Sequence, residues 1–326
     1  MSNSSAVSEW NISGMAASGI LGLAFLVGAP GNLLVIWTIV QHVKLRSFTV
    51  ALILHLAVAD LLVVITLPFW IYSMAQSWIF GPVACKAVVY VVCSCMYASV
   101  FLITAMSVER YVAIRYPFSL MNQKRTAILV KALAGIWALA FLFAIPSVIT
   151  YHVDMMDGIP QCLFRTYSSL SQEVVCFLLE IVIGFIIPYL VLGICYRQVA
   201  SYLRQMNLQQ KCKSSTVIIC IVVAFAICWF PYHLNNTIHL FNNPDVNEPD
   251  ESFYHALSLI SGALVFINSS LNPVLYTFVA RRFQGSLMKS NLVKLFKDIA
   301  STYAKSPEST DLATIPNILH NEQTRM

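Results

Sequence analysis

The chain has 326 residues, of which 58% are hydrophobic and only 11% charged, and its formal net charge is +5. Soluble domains carry about 25% charged residues, so a soluble core of this size could not bury so much apolar surface. The basic residues flank apolar stretches instead of lining one face, which excludes nucleic acid as an expected partner. The composition therefore predicts an integral membrane protein.

Seven apolar segments follow one another along the chain. They cover residues 16–41, 47–75, 84–115, 126–149, 172–200, 214–241 and 253–279. Each has the roughly 20 residues that a helix needs to cross a bilayer, and an open strand could not satisfy its backbone hydrogen bonds in lipid. The predicted fold is therefore an all-α membrane protein, a seven-transmembrane helix bundle over residues 16–279.

The loop charges predict the orientation of this bundle. Lysine and arginine follow the first, third, fifth and seventh segments, whereas the other loops are mainly acidic. Basic loops stay in the cytoplasm, so the C-terminus is expected inside and the N-terminus outside, in the plasma membrane. The predicted extracellular segment 1–15 carries glycosylation sequons at Asn3 and Asn11.

Two further segments follow the bundle. Residues 280–299 mix apolar side chains with five Lys or Arg, which predicts a short amphipathic helix lying on the membrane lipids. Residues 300–326 are polar and contain several Ser and Thr, which is typical of a disordered, phosphorylatable cytoplasmic tail.

Two of the nine cysteines, Cys85 and Cys162, lie at the predicted extracellular edge. That side is oxidising, so a disulfide between them is allowed and would tie the 150–171 loop to the third segment. The alternative is a pair of free surface thiols.

Polar residues inside apolar segments are functional candidates, because lipid makes them costly. The set is Asp60, Ser99, Asn268, Ser269 and Asn272. A buried carboxylate must neutralise or find a cation, and with oxygen-bearing neighbours Asp60 is a candidate ligand for Na⁺. The alternative is a protonated, hydrogen-bonded structural aspartate. No cofactor is expected beyond Na⁺ as an allosteric ion.

Charged residues and prolines mark candidate moving parts. In the resting protein the Glu109 carboxylate can hold the Arg110 guanidinium. Release of this ion pair would let Arg110 turn toward a partner or toward Tyr196 and Tyr276. The alternative is that Arg110 is only a positive charge that anchors the helix at the cytoplasmic side. Prolines at positions 68, 146, 188, 231 and 273 lie inside apolar segments, where each removes a helix hydrogen bond. Trp229 stands two residues before Pro231 and could couple a ligand to movement of this kink, or simply pack in the core.

Taken in order, these motifs resemble the rhodopsin-like family of G-protein-coupled receptors over residues 16–297. They comprise Gly31-Asn32, Leu56 to Asp60, Trp78 to Gly81, Cys85 with Cys162, Glu109-Arg110-Tyr111, Trp137, Pro188 with Tyr196, Cys228 to Pro231, Asn272 to Tyr276, and Phe283. Glu109 replaces the commoner aspartate and keeps its charge.

The resemblance implies a mechanism. An agonist enters from outside, Trp229 and the kinked sixth helix respond, and the Asp60 sodium pocket collapses. Arg110 is then freed, and a heterotrimeric G protein of the Gi class binds a cytoplasmic cleft. Pro273 marks the kink of the seventh helix. Tyr196 and Tyr276 would stabilise that open state, and arrestin and a receptor kinase would act on the tail.

Within the family, several segments are similar to leukotriene B4 receptors. These are Cys85 to Val88, Met96 to Val100, Trp229 to His233, and Ser269 to Pro273. The resemblance implies that the agonist is a lipid chemoattractant with a carboxylate. Arg165 would bind this carboxylate, and Lys86, His152 and His255 would lie near the mouth of the binding site. The hydroxyls of the agonist would meet Tyr97, Glu180, His233 and Asn236.

The chain departs from that group at two positions. Val89 stands where a histidine is expected, and Ser258 stands where an arginine is expected at the top of the seventh segment. Another oxidised fatty acid or a peptide chemoattractant therefore stays open as the ligand.

Two other classes remain as alternatives, a transporter and a membrane haem protein that would use His55, His233 or His239. A transporter would be expected to carry inverted repeats. The chain contains no nucleophile elbow and no metal-ligand spacing, so an enzyme is not expected.

Overall fold

A computed structural model describes residues 2–43, 48–116, 125–156, 158–162, 165–206, 212–241, 251–284 and 293–298. Its helices are α1 (Ser2–His42), α2 (Phe48–Ala75), α3 (Gly81–Arg115), α4 (Arg125–Thr150), α5 (Leu170–Ile181), α6 (Ile187–Met206), α7 (Cys212–Phe241), α8 (Glu251–Gln284) and α9 (293–298). A two-stranded hairpin, β1 (Asp154–Met156) and β2 (Ile159–Gln161), lies between α4 and α5.

The seven-helix prediction is confirmed. Among the described residues, seven helical stretches are long and apolar enough to cross a membrane, and each overlaps one predicted segment. The fifth consists of α5, a π-helical turn and α6, so α7 and α8 are the sixth and seventh spans. α1 begins at Ser2, well before the predicted residue 16, because neither proline nor glycine interrupts the polar residues that precede Gly14.

The helices pack as a bundle around α3, which contacts α2, α4, α6 and α7. α1 packs on α2 and α8. Here glycine permits close approach, because a Cβ on Gly31 would lie 2.8 Å from Cβ of Pro273. Asn32 joins the same helices, and its amide donates to the carbonyls of Gly28 and Ser269, each at 3.0 Å.

The hairpin marks one end of the bundle, which we call the hairpin end. The structure contains the predicted disulfide between Cys85 and Cys162, with Cα atoms 5.8 Å apart and both residues fully buried. Gly158 makes the turn with φ of +81°, a conformation that favours glycine. The disulfide holds the chain after β2 against the start of α3.

The fifth span changes its helical winding at Val182–Ile186, a single π-helical turn. Pro188 follows this turn and has no N–H to donate to the carbonyl four residues earlier. The N–H of Ile187 donates to the carbonyl of Val182, five residues back. The wider turn sets the direction in which the side chains of α5 point relative to those of α6.

The predicted short helix after the seven spans is present, but its bounds differ from the predicted 280–299. α8 continues to Gln284, and the short helix α9 covers 293–298. Leu295 and Phe296 are buried in the main core cluster, and the ring of Phe296 lies 5.9 Å from that of Tyr276. α9 therefore buries part of its apolar face against the bundle. Residues 285–292 and the predicted tail, 300–326, lie outside the described residues.

Candidate functional site

A cavity of about 440 Å³ opens at the hairpin end, bounded by α3, α4, α5, α7 and α8. Six of the predicted ligand-binding residues line it: Tyr97, Arg165, Glu180, Trp229, His233 and Asn236. Most of the remaining lining is apolar or aromatic. Lys86 and His152 are half-buried but do not line it, and the side chain of His255 lies outside the described residues.

Arg165 is the centre of the polar wall of this cavity. Its two terminal nitrogens lie 2.6 and 3.3 Å from the carboxylate oxygens of Glu180. One of these nitrogens also donates to the hydroxyl of Tyr232 at 2.6 Å, and Nε donates to the hydroxyl of Tyr151 at 3.0 Å. The Tyr232 hydroxyl donates in turn to Glu180 at 2.7 Å. The carboxylate and guanidinium therefore form a closed ion pair, which we call the Arg165–Glu180 lock.

Local backbone structure positions the arginine. Tyr151 and Arg165 form an isolated antiparallel bridge, and the N–H of Thr166 donates to the carbonyl of Thr150 at 2.8 Å. The guanidinium carbon also lies 5.3 Å from the centre of the Tyr151 ring. The chain after Cys162 is thus fastened back onto the end of α4.

The charges of the lock stabilise each other. Burial lowers the pKa of Arg165, but the Glu180 carboxylate and the hydroxyls of Tyr151 and Tyr232 together more than offset this effect, and the pKa of the guanidinium lies well above its ordinary value. Burial raises the pKa of the Tyr151 hydroxyl, which therefore stays protonated at neutral pH. The side chains of Arg165 and Glu180 retain 23% and 18% exposure, so the pair faces the cavity.

An aromatic column forms the floor of the cavity. The ring of His233 lies 4.7 Å from Phe185 and stacks on Trp229 at 5.7 Å with an interplanar angle of 24°. Both His233 and Trp229 are buried, at 3% and 7% exposure. Within the described part of the chain, neither Nε2 of His233 nor the indole nitrogen of Trp229 has a hydrogen-bond partner. Buried polar atoms without partners are costly, so a polar group of a ligand would satisfy them here.

The other predicted hydroxyl contacts occupy different walls. Tyr97 packs against Phe101 and Phe143 at 6.1 and 5.9 Å between ring centres. Asn236 lines the cavity from α7. The neighbouring Asn235 donates to the hydroxyl of Ser258 at 3.1 Å, so the serine that replaces the expected arginine joins α7 to α8.

Asp60 lies deeper in the bundle and is fully buried. Ser99 donates to one carboxylate oxygen at 3.4 Å, and the Asn272 amide donates to the other at 2.6 Å. Asn268 and Ser269 are also buried. One carboxylate with hydroxyl and amide oxygens nearby is a donor set that a hard monovalent cation accepts. The described residues contain no group of three His, Cys, Asp or Glu that would hold a transition metal.

The predicted switch residues lie at the end of the bundle opposite the hairpin. Glu109 and Arg110 are buried, and Thr49 donates to Glu109 at 2.8 Å. Ser107, one helical turn before Arg110, donates to the Tyr196 hydroxyl at 3.5 Å. Tyr276 is fully buried, and among the described residues its hydroxyl has no hydrogen-bond partner.

Three more predicted switch positions lie in α3, α7 and α8. Tyr111 is half-buried, and its ring meets that of Tyr116 edge to face at 6.5 Å. Pro231 and Pro273 lie inside α7 and α8, as their sequence positions predict.

The histidines of the haem alternative have other surroundings. Nδ1 of His55 accepts a hydrogen bond from the Trp137 indole at 3.1 Å. His233 belongs to the aromatic column, and the side chain of His239 lies outside the described residues. The described geometry of His55 is thus that of a structural hydrogen bond between α2 and α4.

Sequence reasoning missed two residues of the site, Tyr151 and Tyr232. Tyr232 lies three residues after Trp229, on the same side of α7, and this spacing was the available signal. No comparable signal marks Tyr151, because its role depends on the loop folding back onto α4.

Comparison with known proteins identifies the family. Residues 31–276 match the 7 transmembrane receptor (rhodopsin family). Human leukotriene B4 receptor 1 is 32% identical over 312 residues, covering 90% of this chain and 88% of that receptor. The rat receptor of the same name is 33% identical, covering 91% and 86%. Galanin receptor 2a of Danio rerio is 30% identical over 297 residues, covering 86% and 79%.

These relatives are receptors and not enzymes, and their similarity extends over the whole bundle that contains the cavity. Seven apolar helices, the disulfide at the hairpin end and the family match agree with one another. The chain is therefore a multi-pass membrane protein that belongs to the rhodopsin family of seven-transmembrane receptors.

Proposed function

We propose that the chain is a plasma-membrane receptor for a hydroxylated long-chain carboxylic acid of the leukotriene B4 type, coupled to a Gi-class G protein. The observation that carries the proposal is a largely apolar cavity with one guanidinium on its wall and unsatisfied polar atoms at its floor. The similarity to leukotriene B4 receptors supports the same ligand class.

Each part of such a ligand has a matching surface. Arg165 supplies the positive charge for the carboxylate, in a bidentate geometry that suits it. His233, Asn236 and Tyr97 supply polar groups for the hydroxyls. The aromatic and aliphatic lining takes the hydrocarbon chain, as in other ligand sites of a few hundred Å³.

Signal transfer begins beneath the ligand. The Trp229 ring stacks on that of His233, and Trp229 lies two residues before Pro231 in α7. A ligand that displaces these stacked rings would therefore move side chains next to the proline. Asp60 would hold Na⁺ with Ser99 in the resting receptor, and loss of the ion would accompany the movement. Arg110, Tyr196 and Tyr276 then rearrange at the opposite end of the bundle, where the G protein binds. Agonist favours this state only by its differential affinity, about 1.4 kcal/mol for each tenfold shift.

The proposed topology follows from the loop charges. The hairpin end and the N-terminus, with Asn3 and Asn11, lie outside the cell, and the C-terminal tail lies in the cytoplasm, where a receptor kinase and arrestin act on it. The cavity therefore opens to extracellular ligand.

The ligand assignment is tested by replacing Arg165 with alanine in cells that express the chain. Leukotriene B4 should lose potency in Arg165→Ala by about tenfold or more, whereas its methyl ester, which carries no charge, should lose less. Pertussis toxin should abolish the wild-type response. Equal losses for acid and ester would remove Arg165 from the carboxylate site, and a response that survives the toxin would exclude Gi coupling.

The sodium site has a separate test. Asp60→Asn removes the one carboxylate of this cluster while keeping a side chain of the same shape. We expect agonist affinity in membranes of the variant to become nearly independent of Na⁺ concentration, whereas in the wild type Na⁺ lowers it. A variant that keeps the full Na⁺ response, measured against K⁺ at equal ionic strength, would contradict the proposal.

A peptide ligand is the second candidate, and the similarity to galanin receptor 2a is the observation that favours it. Arg165 would then meet an acidic group of the peptide at the mouth of the cavity. A saturable response to a peptide with no response to the lipid acid would select this candidate.

A further inference from the structure

We propose that Glu180 is a built-in competitor for the ligand carboxylate: an acid binds by displacing Glu180 from Arg165, and the exchange is the step that opens the Arg165–Glu180 lock. The inference rests on the proposed function, because it concerns how an acidic ligand would be recognised at that site. It assigns Glu180 a different role from that of a hydroxyl acceptor.

The guanidinium of Arg165 is largely engaged, because the described bonds use four of its five N–H groups. Its terminal nitrogens bind both oxygens of Glu180, one of them also binds the Tyr232 hydroxyl, and Nε binds the Tyr151 hydroxyl. An incoming carboxylate would need the bidentate position that Glu180 occupies. Because Glu180 holds that position with both oxygens, an acid gains the bidentate contact only by exchange with Glu180.

The charges that line the cavity also favour an exchange. Among the described residues that line the cavity, Arg165 is the only one with a permanent positive charge, whereas Glu173 and Glu180 both bring carboxylates. While the lock is closed, the cavity therefore presents no uncompensated cation to an acid. Once the ligand carboxylate replaces Glu180, the ion pair is restored with a new partner, so the exchange conserves the number of paired charges at Arg165.

Glu180 keeps a hydrogen-bond donor after it leaves Arg165. The Tyr232 hydroxyl already donates to Glu180 at 2.7 Å. The next residue, His233, has a buried Nε2 without a partner among the described residues. A carboxylate displaced from Arg165 thus keeps the Tyr232 donor on α7, and His233 would supply a second donor in the tautomer protonated at Nε2, which limits the cost of leaving the cation.

The exchange would also reach the signalling residues. The lock fastens three parts of the chain: the loop with Arg165, α5 with Glu180, and α7 with Tyr232. The Tyr232 ring meets that of Trp229 edge to face at 5.9 Å. Opening the lock therefore changes the contacts of α7 at Tyr232, the residue directly after Pro231.

The competing role for Glu180 predicts the opposite result for one substitution. If Glu180 accepts a ligand hydroxyl, Glu180→Gln should weaken the acid and its methyl ester alike. If Glu180 competes with the ligand carboxylate, Glu180→Gln should strengthen the acid by about tenfold or more and leave the ester nearly unchanged. Glu173→Gln is the matched control, since it removes the same charge from the same helix and the same cavity wall. It should give only a small gain from reduced repulsion.

The experiment is a thermal-shift titration of the purified receptor in lipid nanodiscs. The probes are leukotriene B4, 12-hydroxyoctadecanoic acid and the methyl ester of each, and the proteins are wild type, Glu180→Gln and Glu173→Gln. Glu180→Asp is a second variant that keeps the charge but shortens its reach, and it should show a smaller gain for the acids. This variant decides the matter if Glu180→Gln does not fold.

The expected result is an acid-selective gain in affinity in Glu180→Gln that exceeds the gain in Glu173→Gln. An unchanged or weaker acid affinity, an equal gain in the control, or no binding of any acid to Glu180→Gln would overturn the inference. The proposed function is tested in a separate assay, which measures leukotriene-dependent nucleotide exchange on a Gi-class Gα with the wild-type receptor. Its failure alongside an acid-selective gain would reject leukotriene B4 as the agonist but keep the exchange at Arg165.

Discussion

At the scale of single residues, the sequence identified Arg165 but not its partner. Resemblance to a receptor group gave the arginine three residues after Cys162 a ligand role and assigned Glu180 to hydroxyls. The structure pairs these two side chains at 2.6 Å. The pairing depends on a loop that the disulfide and the bridge between Tyr151 and Arg165 fold back over the cavity. Such long-range contacts leave no periodic signal in the chain.

Asp60 is the opposite case. A charged residue within an apolar segment stands out in any sequence, because lipid makes it costly. The predicted neighbours Ser99 and Asn272 do contact it. The residue types and their depth along each helix were sufficient to bring these three together.

Gly28 gives a prediction at the same scale. A methyl group here would clash with the Ser270 side chain and lie 3.0 Å from the nearest Val64 methyl, at the tight contact of α1 with α2 and α8. We expect Gly28→Ala to lower the free energy of unfolding of the purified receptor by about 1–3 kcal/mol, which is the usual cost of overpacking a core. This cost should exceed the gain from alanine being a better helix former than glycine. The readout is the temperature at which half of the protein unfolds.

Gly22→Ala is the control for this prediction. It lies in the same helix, and an added Cβ meets no atom within 4 Å. It should be neutral or raise the unfolding temperature, because alanine is a better helix former by about 0.5–1 kcal/mol. If both variants shift the unfolding temperature equally, the close contact at Gly28 is not what restricts the size of the side chain at this position.

At the scale of elements, the apolar segments predicted all seven spans, because a helix must present about 20 apolar residues to cross lipid. Ends were predicted less well. α1 and α8 extend into polar residues at both termini of the bundle, where hydropathy no longer decides the structure. The π-helical turn at Val182–Ile186 was not predicted, although Pro188 gave the signal for a disturbance there.

This turn carries the element-scale prediction. Deleting Gly184 would convert the π-helical turn to an α-helical one and rotate α5 by about 100° relative to α6. Glu180 would then turn away from Arg165. We expect the deletion variant to reach the membrane but to lose most of its agonist response, because the side chains of α5 that line the cavity would no longer face it. The measurement is G-protein activation against surface expression.

The matched control keeps the residue count. A Cβ on Gly184 would lie 3.5 Å from the Tyr97 ring, an ordinary van der Waals distance. Gly184→Ala should therefore keep the response. A full response in the deletion variant would mean that the direction of α5 is not set by the turn.

At the scale of the whole molecule, the family and the seven-helix bundle were predictable from the sequence, but the full set of residues that line the cavity was not. Six predicted ligand residues, from three helical spans and a loop, do line one cavity. Lys86 and His152, placed near the mouth by their position in the chain, do not. Which side chains share a cavity depends on how helices rotate about their axes, and packing across the bundle sets that rotation.

The central claim is that this bundle converts binding of an acidic lipid into G-protein activation. The most direct measurement is nucleotide exchange on a Gi-class Gα in membranes from cells that express the chain. Leukotriene B4, its methyl ester, galanin and a panel of chemoattractant peptides would each be titrated. We expect saturable exchange with the acid, weaker exchange with the ester, and none in membranes that lack the chain. Exchange driven by a peptide but not by the acid, or by none of the ligands, would contradict the claim.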